Sequence, residues 1–233
     1  MTPGGTDLIL LAGLWLTASW WDPVAAELSR LGHRPVAPLL PGVDDGSTAV
    51  DLEDQLAAVL AAVDAVQRPV VVGHSAASGL AWLAADRRPT EVAGVALVGG
   101  FPSEDGSSYA DFFPVVREVV PFPDWSAFGD DDARDLDAAT RARISDRAVP
   151  VPASVARSRV TLTDERRFSV PVTLVCPEFS PDEAKAWIES GELPELARAD
   201  QVSFVDIDSG HWPMVTRPTE LARLLDRCVR ERG

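Results

Sequence analysis

The sequence predicts an α/β fold: a six-stranded, mostly parallel, doubly wound sheet formed by one domain over residues 1–233, with an insertion at 101–168. Three observations carry this. Short β-branched or leucine-rich runs alternate with helical patterns. Those runs are apolar almost throughout, as strands covered on both faces are. The alternation breaks once, in a stretch rich in proline and aromatic residues, and then resumes.

The expected strands are Asp7–Leu11, Pro35–Leu39, Pro69–Val72, Val92–Val98, Val172–Cys176 and Val202–Ile207. After the first strand, Asp22 is placed to cap a helix with Pro23 in its first position and Gly32 at its end. Val24, Leu28 and Leu31 share one face of it. Leu52, Leu56, Val59, Leu60 and Val63 give a second apolar stripe, and Leu221, Leu224, Leu225 and Cys228 a third on the last helix. Ser180-Pro181-Asp182-Glu183 reads as a capping box opening a further helix. The interrupted stretch contains Pro114, Pro121, Pro123 and Pro150, the acidic run Asp130–Asp132, and Phe101, Tyr109, Phe112, Phe113, Phe122, Trp125 and Phe128. Lying between two sheet strands, it is expected to form a lid whose aromatics wall a pocket above the sheet.

A formal charge of −15 would repel a phosphate backbone or an anionic bilayer, so neither nucleic acid nor membrane is an expected partner. The apolar run Leu8–Leu16 has no basic residue before it, abuts Asp7 and is too short to cross a bilayer. It is expected to be a strand of a cytoplasmic protein. Cys176 and Cys228, far apart in apolar segments, are expected to be reduced core residues. Metal and nucleotide signatures are missing: there is no His/Cys/Asp cluster at ligand spacing, no P-loop and no dinucleotide fingerprint, so no metal or cofactor is expected.

The strongest chemical motif is Val70-Val71-Val72-Gly73-His74-Ser75-Ala76-Ala77-Ser78-Gly79. A strand runs into a serine and a helix follows at once. In such a nucleophile elbow the residues two before and two after the serine must be small, as Gly73 and Ala77 are. The turn puts the Ser75 hydroxyl at a helix N-terminus, where the Ala76 N–H can donate to an oxyanion. A second donor is expected from the loop Leu11-Ala12-Gly13-Leu14-Trp15, with the Leu14 N–H as candidate. A serine needs a base. Of three histidines, His33 lies at the wrong edge of the sheet and His74 turns into the protein. His211 remains, just after the last strand, at the carboxyl edge where parallel sheets gather their active sites.

These residues resemble the α/β-hydrolase superfamily over nearly the whole chain, and more narrowly its plant methylesterase and hydroxynitrile lyase branch. The match rests on Ala12-Gly13-Leu14-Trp15 with Trp20-Trp21-Asp22, on Pro41-Gly42, on the elbow, on Val175-Cys176-Pro177-Glu178 with Trp187, and on Gly210-His211-Trp212-Pro213-Met214. The resemblance implies a six-stranded core with a lid and acyl transfer on a small hydrophobic acyl substrate. Trp15, Phe113 and Trp125 are its expected contacts. Three departures stand out. Ala12 replaces the branch's usual histidine, and Trp212 replaces the lysine that the lyases place after the catalytic histidine, which argues against cyanohydrin cleavage. No aspartate occupies the superfamily's acid position. Glu178 stands closest to that position; Asp105, then Asp182 and Glu104, remain alternatives. The reading is a cofactor-free serine hydrolase of a small ester, thioester or lactone. A binding protein on the same scaffold, or another acyl chemistry such as cyclisation or perhydrolysis, is the rival.

Overall fold

A computed structural model describes residues 5–230. In chain order it contains β1 (Asp7–Leu11), a 3₁₀ turn at Ala18–Trp21, α1 (Asp22–Arg30), β2 (Arg34–Val36), α2 (Leu52–Asp64), β3 (Val70–His74), α3 (Ala77–Arg87) and β4 (Gly94–Val98). There follow β5 (Val119–Val120), α4 (Ala138–Arg147), β6 (Val151–Pro152) and α5 (Ala153–Ala156), then β7 (Val172–Cys176), α6 (Pro181–Ser190), α7 (Pro194–Arg198), β8 (Val202–Asp206), α8 (Pro213–Thr216) and α9 (Pro218–Arg230).

Six strands form one parallel sheet in the order β2-β1-β3-β4-β7-β8. The strand parity sorts the core into two layers. Ile9, Leu11, Val71, Val95, Leu97, Val172 and Leu174 face α2 and α3, while Leu8, Leu10, Val70, Val72, Ala96, Val98 and Val175 face α1 and α9. The chain builds outward from β1 to β2, then returns to the other side of β1 for β3. The loops after β1 and β3 therefore diverge at a topological switch point, the crevice where open parallel sheets place their ligands.

Several boundaries differ from the sequence expectation. β2 covers Arg34–Val36, not Pro35–Leu39, because only Arg34, Pro35 and Val36 find partners on β1; Leu39 is left 69% exposed. β4 begins at Gly94, and the last strand stops at Asp206. Asp22 is the first residue of α1 and not its cap, a position held by Trp21. Asp51 and Asp54 form a capping box on α2, and the expected box at Ser180 and Glu183 is present on α6. Of the two cysteines, Cys176 is buried, as expected, and Cys228 is only partly so.

Between β4 and β7 the insertion carries α4, α5 and a small antiparallel pair, β5 with β6. It has no core of its own. Tyr109, Val120, Val151, Val155 and Val160 join the α2–α3 layer, and Ala133, Leu136 and Ile144 join the other. Its last segment is tied down by a buried ionic network. Arg167 pairs with Glu195 at 2.9 Å and contacts Asp86 at 3.4 Å; Asp86 also accepts the Thr163 and Asp164 N–H groups, and Glu195 accepts the Trp82 indole N–H. α3 is buried from Ala77 to Asp86, so this network closes the base of the helix that the elbow starts.

Candidate active site

Ser75 sits in the tight turn between β3 and α3 with φ of +54°, the left-handed region that side chains other than glycine rarely occupy. Such a conformation costs on the order of 1–3 kcal/mol and persists only where neighbours fix it. The Ser75 N–H donates to Val98 O at 2.9 Å, and its carbonyl accepts the Ser78 N–H at 2.9 Å. The turn closes so tightly that a Cβ on Gly73 would stand 2.3 Å from Ala77 O. Sequence and strain agree here: a glycine is required, and the serine is held upright at the head of α3.

His211 follows β8 and is held at three points. Its N–H donates to Asp132 O at 2.8 Å, its carbonyl accepts the His74 Nε2–H at 2.7 Å, and its Nδ1 stands 2.7 Å from Glu178 Oε1. The last contact favours one tautomer: Nδ1–H donates to the carboxylate, leaving Nε2 with a free lone pair. Glu178 lies two residues after β7, which pairs directly with β8, so the two strand ends deliver acid and histidine to one place. Gly99, at φ +58°, makes room for the pair, since a Cβ there would stand 3.2 Å from Glu178 Oε2 and 3.3 Å from His211 Nδ1. His74 supports the His211 loop from beneath. Burial, with the nearby His211 charge, pushes its pKa down to about 3, so it stays neutral and donates from Nε2.

Ser75, His74, His211 and Glu178 line one cavity of about 250 Å³, together with Leu14, Trp15, Phe112, Phe113, Phe128, Asp132 and Trp212. On the other side of Ser75 a second cavity, of about 400 Å³, is lined by Ala76, Gly99 to Glu104, Ser107, Ser108, Tyr109 and Phe112. Ser75 and Phe112 border both. Among the described residues the Ser75 hydroxyl has no hydrogen-bond partner, and neither the Leu14 nor the Ala76 N–H donates within the protein. A hydroxyl and two backbone donors thus stand unengaged beside the two cavities.

The sequence-derived candidates divide cleanly. Ser75, His211, Glu178, Leu14, Trp15 and Phe113 border one cavity, and Ala76 borders its neighbour. Trp125 lines neither. It packs behind the wall against Phe122, Phe128 and Trp212 and donates its indole N–H to Ser145 Oγ at 2.9 Å. The alternative acids are occupied elsewhere: Asp105 accepts the Leu162 N–H at 2.8 Å, Asp182 pairs with Lys185, and Glu104 is exposed. Phe112 and Phe128 belong to the aromatic group expected to wall a pocket, whereas Asp132 and Trp212 were not expected in the wall. Asp132 also revises the expectation that no ligand-like cluster exists, because its carboxylate, Glu178 and His211 lie within 4.8 Å of one another. They come from three separate loops, so no sequence spacing could show it. The Nδ1–Oε1 hydrogen bond gives this group the character of an acid–base site rather than a vacant cage.

A strained serine after the third strand, a histidine after the last and backbone donors at the switch point define the hydrolase class of doubly wound folds. The chain belongs to the alpha/beta hydrolase family, whose model matches residues 8–224. A search of curated proteins by sequence finds no match. Among solved structures it is similar to an extracellular α/β-hydrolase from a Paenibacillus species, described as sharing structural and functional homology with tobacco salicylic acid binding protein 2 (20% identity, 95% of this chain and 98% of that one, TM-score 0.79). It is also similar to the methylesterase MES16 from Arabidopsis (16%, 97% and 99%, 0.74) and to a pyrethroid hydrolase from Sphingobium faniae (19%, 95% and 96%, 0.71). At these identities the likeness is one of fold.

Proposed function

We propose that the protein is a cofactor-free serine hydrolase that cleaves a small carboxylic ester, thioester or lactone through an acyl-enzyme. The observation that carries this is the strained Ser75 opening onto the cavity that holds His211, whose Nδ1 is 2.7 Å from Glu178. Ser75 Oγ attacks the carbonyl carbon while His211 Nε2 takes its proton. The oxyanion that forms accepts hydrogen bonds from the Leu14 and Ala76 N–H groups. The tetrahedral adduct collapses, the leaving oxygen or sulfur departs with the proton from His211, and Ser75 is left acylated. Water then enters, gives a proton to His211 and attacks the acyl carbon, releasing the acid and restoring Ser75. Glu178 orients the imidazole and stabilises its charged form in both halves. The esterase and pyrethroid hydrolase named among the structural neighbours support this reaction class.

The test is a fluorophosphonate probe combined with p-nitrophenyl esters of rising acyl length. Wild type is expected to be labelled once and to turn over, and Ser75→Ala to lose both while keeping its melting temperature. Folded protein that is neither labelled nor active would favour a binding role on the same scaffold, which the unpartnered Ser75 hydroxyl also permits.

A further inference from the structure

Resting on the hydrolase reading, the two cavities beside Ser75 acquire different duties. The leaving group has to receive its proton from His211, so it lies on the His211 side, in the smaller, aromatic-walled cavity. The acyl group then occupies the larger cavity, which contains no triad member except Ser75. Besides Ser75, three hydroxyls there are unaccounted for, those of Ser103, Ser108 and Tyr109, and the first and last belong to residues that meet at Gly79. Tyr109 is only 4% exposed, yet its hydroxyl has no partner among the described residues, and the same holds for Ser103. Neither oxygen is among the sealed, unsatisfied polar atoms of the interior, so both reach the cavity space. The two residues pack together on the bare first turn of α3: a Cβ on Gly79 would stand 2.8 Å from Ser103 Oγ and 3.1 Å from Tyr109 Cε2. A hydroxyl that faces a cavity is free to bond water or a ligand oxygen there, so a ligand that supplies the oxygen keeps the bond, and one that covers the hydroxyl with carbon loses it.

We infer that Tyr109 and Ser103 form an oxygen-recognising end of the acyl cavity, so that the substrate's acyl group carries a neutral carbonyl or hydroxyl oxygen along its chain. Burial raises the Tyr109 pKa, which keeps the phenol a neutral donor at all working pH values. Glu104 on the same wall, within a chain of charge −15, disfavours a carboxylate in this place. The ligand oxygen is therefore uncharged, as in an oxo- or hydroxyacyl ester.

The experiment compares p-nitrophenyl pentanoate with the 4-oxopentanoate, and the hexanoate with the 5-oxohexanoate, in wild type, Tyr109→Phe and Ser103→Ala. Wild type is expected to prefer the oxo member of at least one pair by about tenfold or more in kcat/KM. Tyr109→Phe should bring that ratio close to one, with Ser103→Ala lowering it less. Equal rates within both pairs, or a preference that survives both substitutions, would overturn the assignment. A parallel arm needs no turnover: calorimetric binding of the free 4-oxo and 5-oxo acids and their plain counterparts to Ser75→Ala, with and without Tyr109→Phe. If wild type hydrolyses no ester but the oxo acids bind more tightly through Tyr109, the hydrolase reading fails and the oxygen site stands. If the oxo acids show no advantage, the oxygen site fails whatever the hydrolysis result.

Discussion

Glu178 reaches His211 because two neighbouring parallel strands end side by side. Glu178→Gln can turn an amide N–H toward Nδ1 and favour the wrong tautomer, so kcat is expected to fall by about two orders of magnitude or more in stopped-flow ester assays. Asp105→Asn should stay near wild type, because Asp105 serves the Leu162 N–H far from the histidine. Gly99→Ala tests the space behind the pair: a methyl group at φ +58°, 3.2 Å from Glu178 Oε2, should lower activity through misplacement of the carboxylate. Ser75 and His211 could be singled out in the sequence because each adjoins a strand end in a short connection, whereas Glu178 was one of four candidate acids beside Asp105, Asp182 and Glu104. Asp132 could not be singled out, since it reaches the site through tertiary packing of an irregular segment and sits in an acidic run that reads as solvated.

At the scale of elements, the strands and main helices were legible wherever an apolar period is bracketed by turn or cap residues, as at Gly32 and Ser180. Edges were less so: the hydrophobic run through Leu39 promises a longer β2 than the partner strand supports. The insertion shows the same limit. Its aromatics could be recognised as a group, but which of them face substrate depends on packing between α4, β5 and the loop after β1. Trp125 and Phe112 separate the two outcomes. Trp125→Ala removes contacts with Trp212, Phe122 and Phe128, and is expected to lower stability by about 2 kcal/mol in chemical denaturation while leaving ester selectivity nearly unchanged. Phe112, 68% exposed and bordering both cavities, should behave in the opposite way: Phe112→Ala shifts selectivity across acyl lengths with little change in melting temperature.

Across the whole molecule, the described N-terminal and C-terminal elements are linked through His33, whose Nδ1 accepts the Thr6 N–H at 3.2 Å while Nε2 stands 2.7 Å from Asp226 on α9. The sheet interior holds the other structural histidine. His74 titrates at about 3 in the fold against 6.5 for an ordinary histidine. Below pH 6.5 the unfolded chain therefore takes up a proton that the native state refuses, so this contribution is complete above pH 6.5 and is lost as pH falls toward 3. Melting temperature is expected to decline over that window, and less steeply in His74→Gln, whose amide can still donate to the His211 carbonyl. Equal slopes in the two proteins would remove His74 from the account of acid stability.

The aromatic cluster over the site also has a kinetic meaning. Trp15, in the loop after β1, packs edge-on against Phe113, Phe122 and Phe128, donates its indole N–H to Val120 O and accepts the Val149 N–H at its carbonyl. Arg143 and Arg147 of α4 lie over Trp20. An insertion gripped at so many points cannot swing as a rigid flap on the microsecond-to-millisecond scale without disrupting the loop after β1 as well. The exposed Phe112 side chain can still move, with rotamer changes that take picoseconds to nanoseconds. Turnover is therefore expected to be insensitive to solvent viscosity, which kcat measured in buffers of rising sucrose content checks.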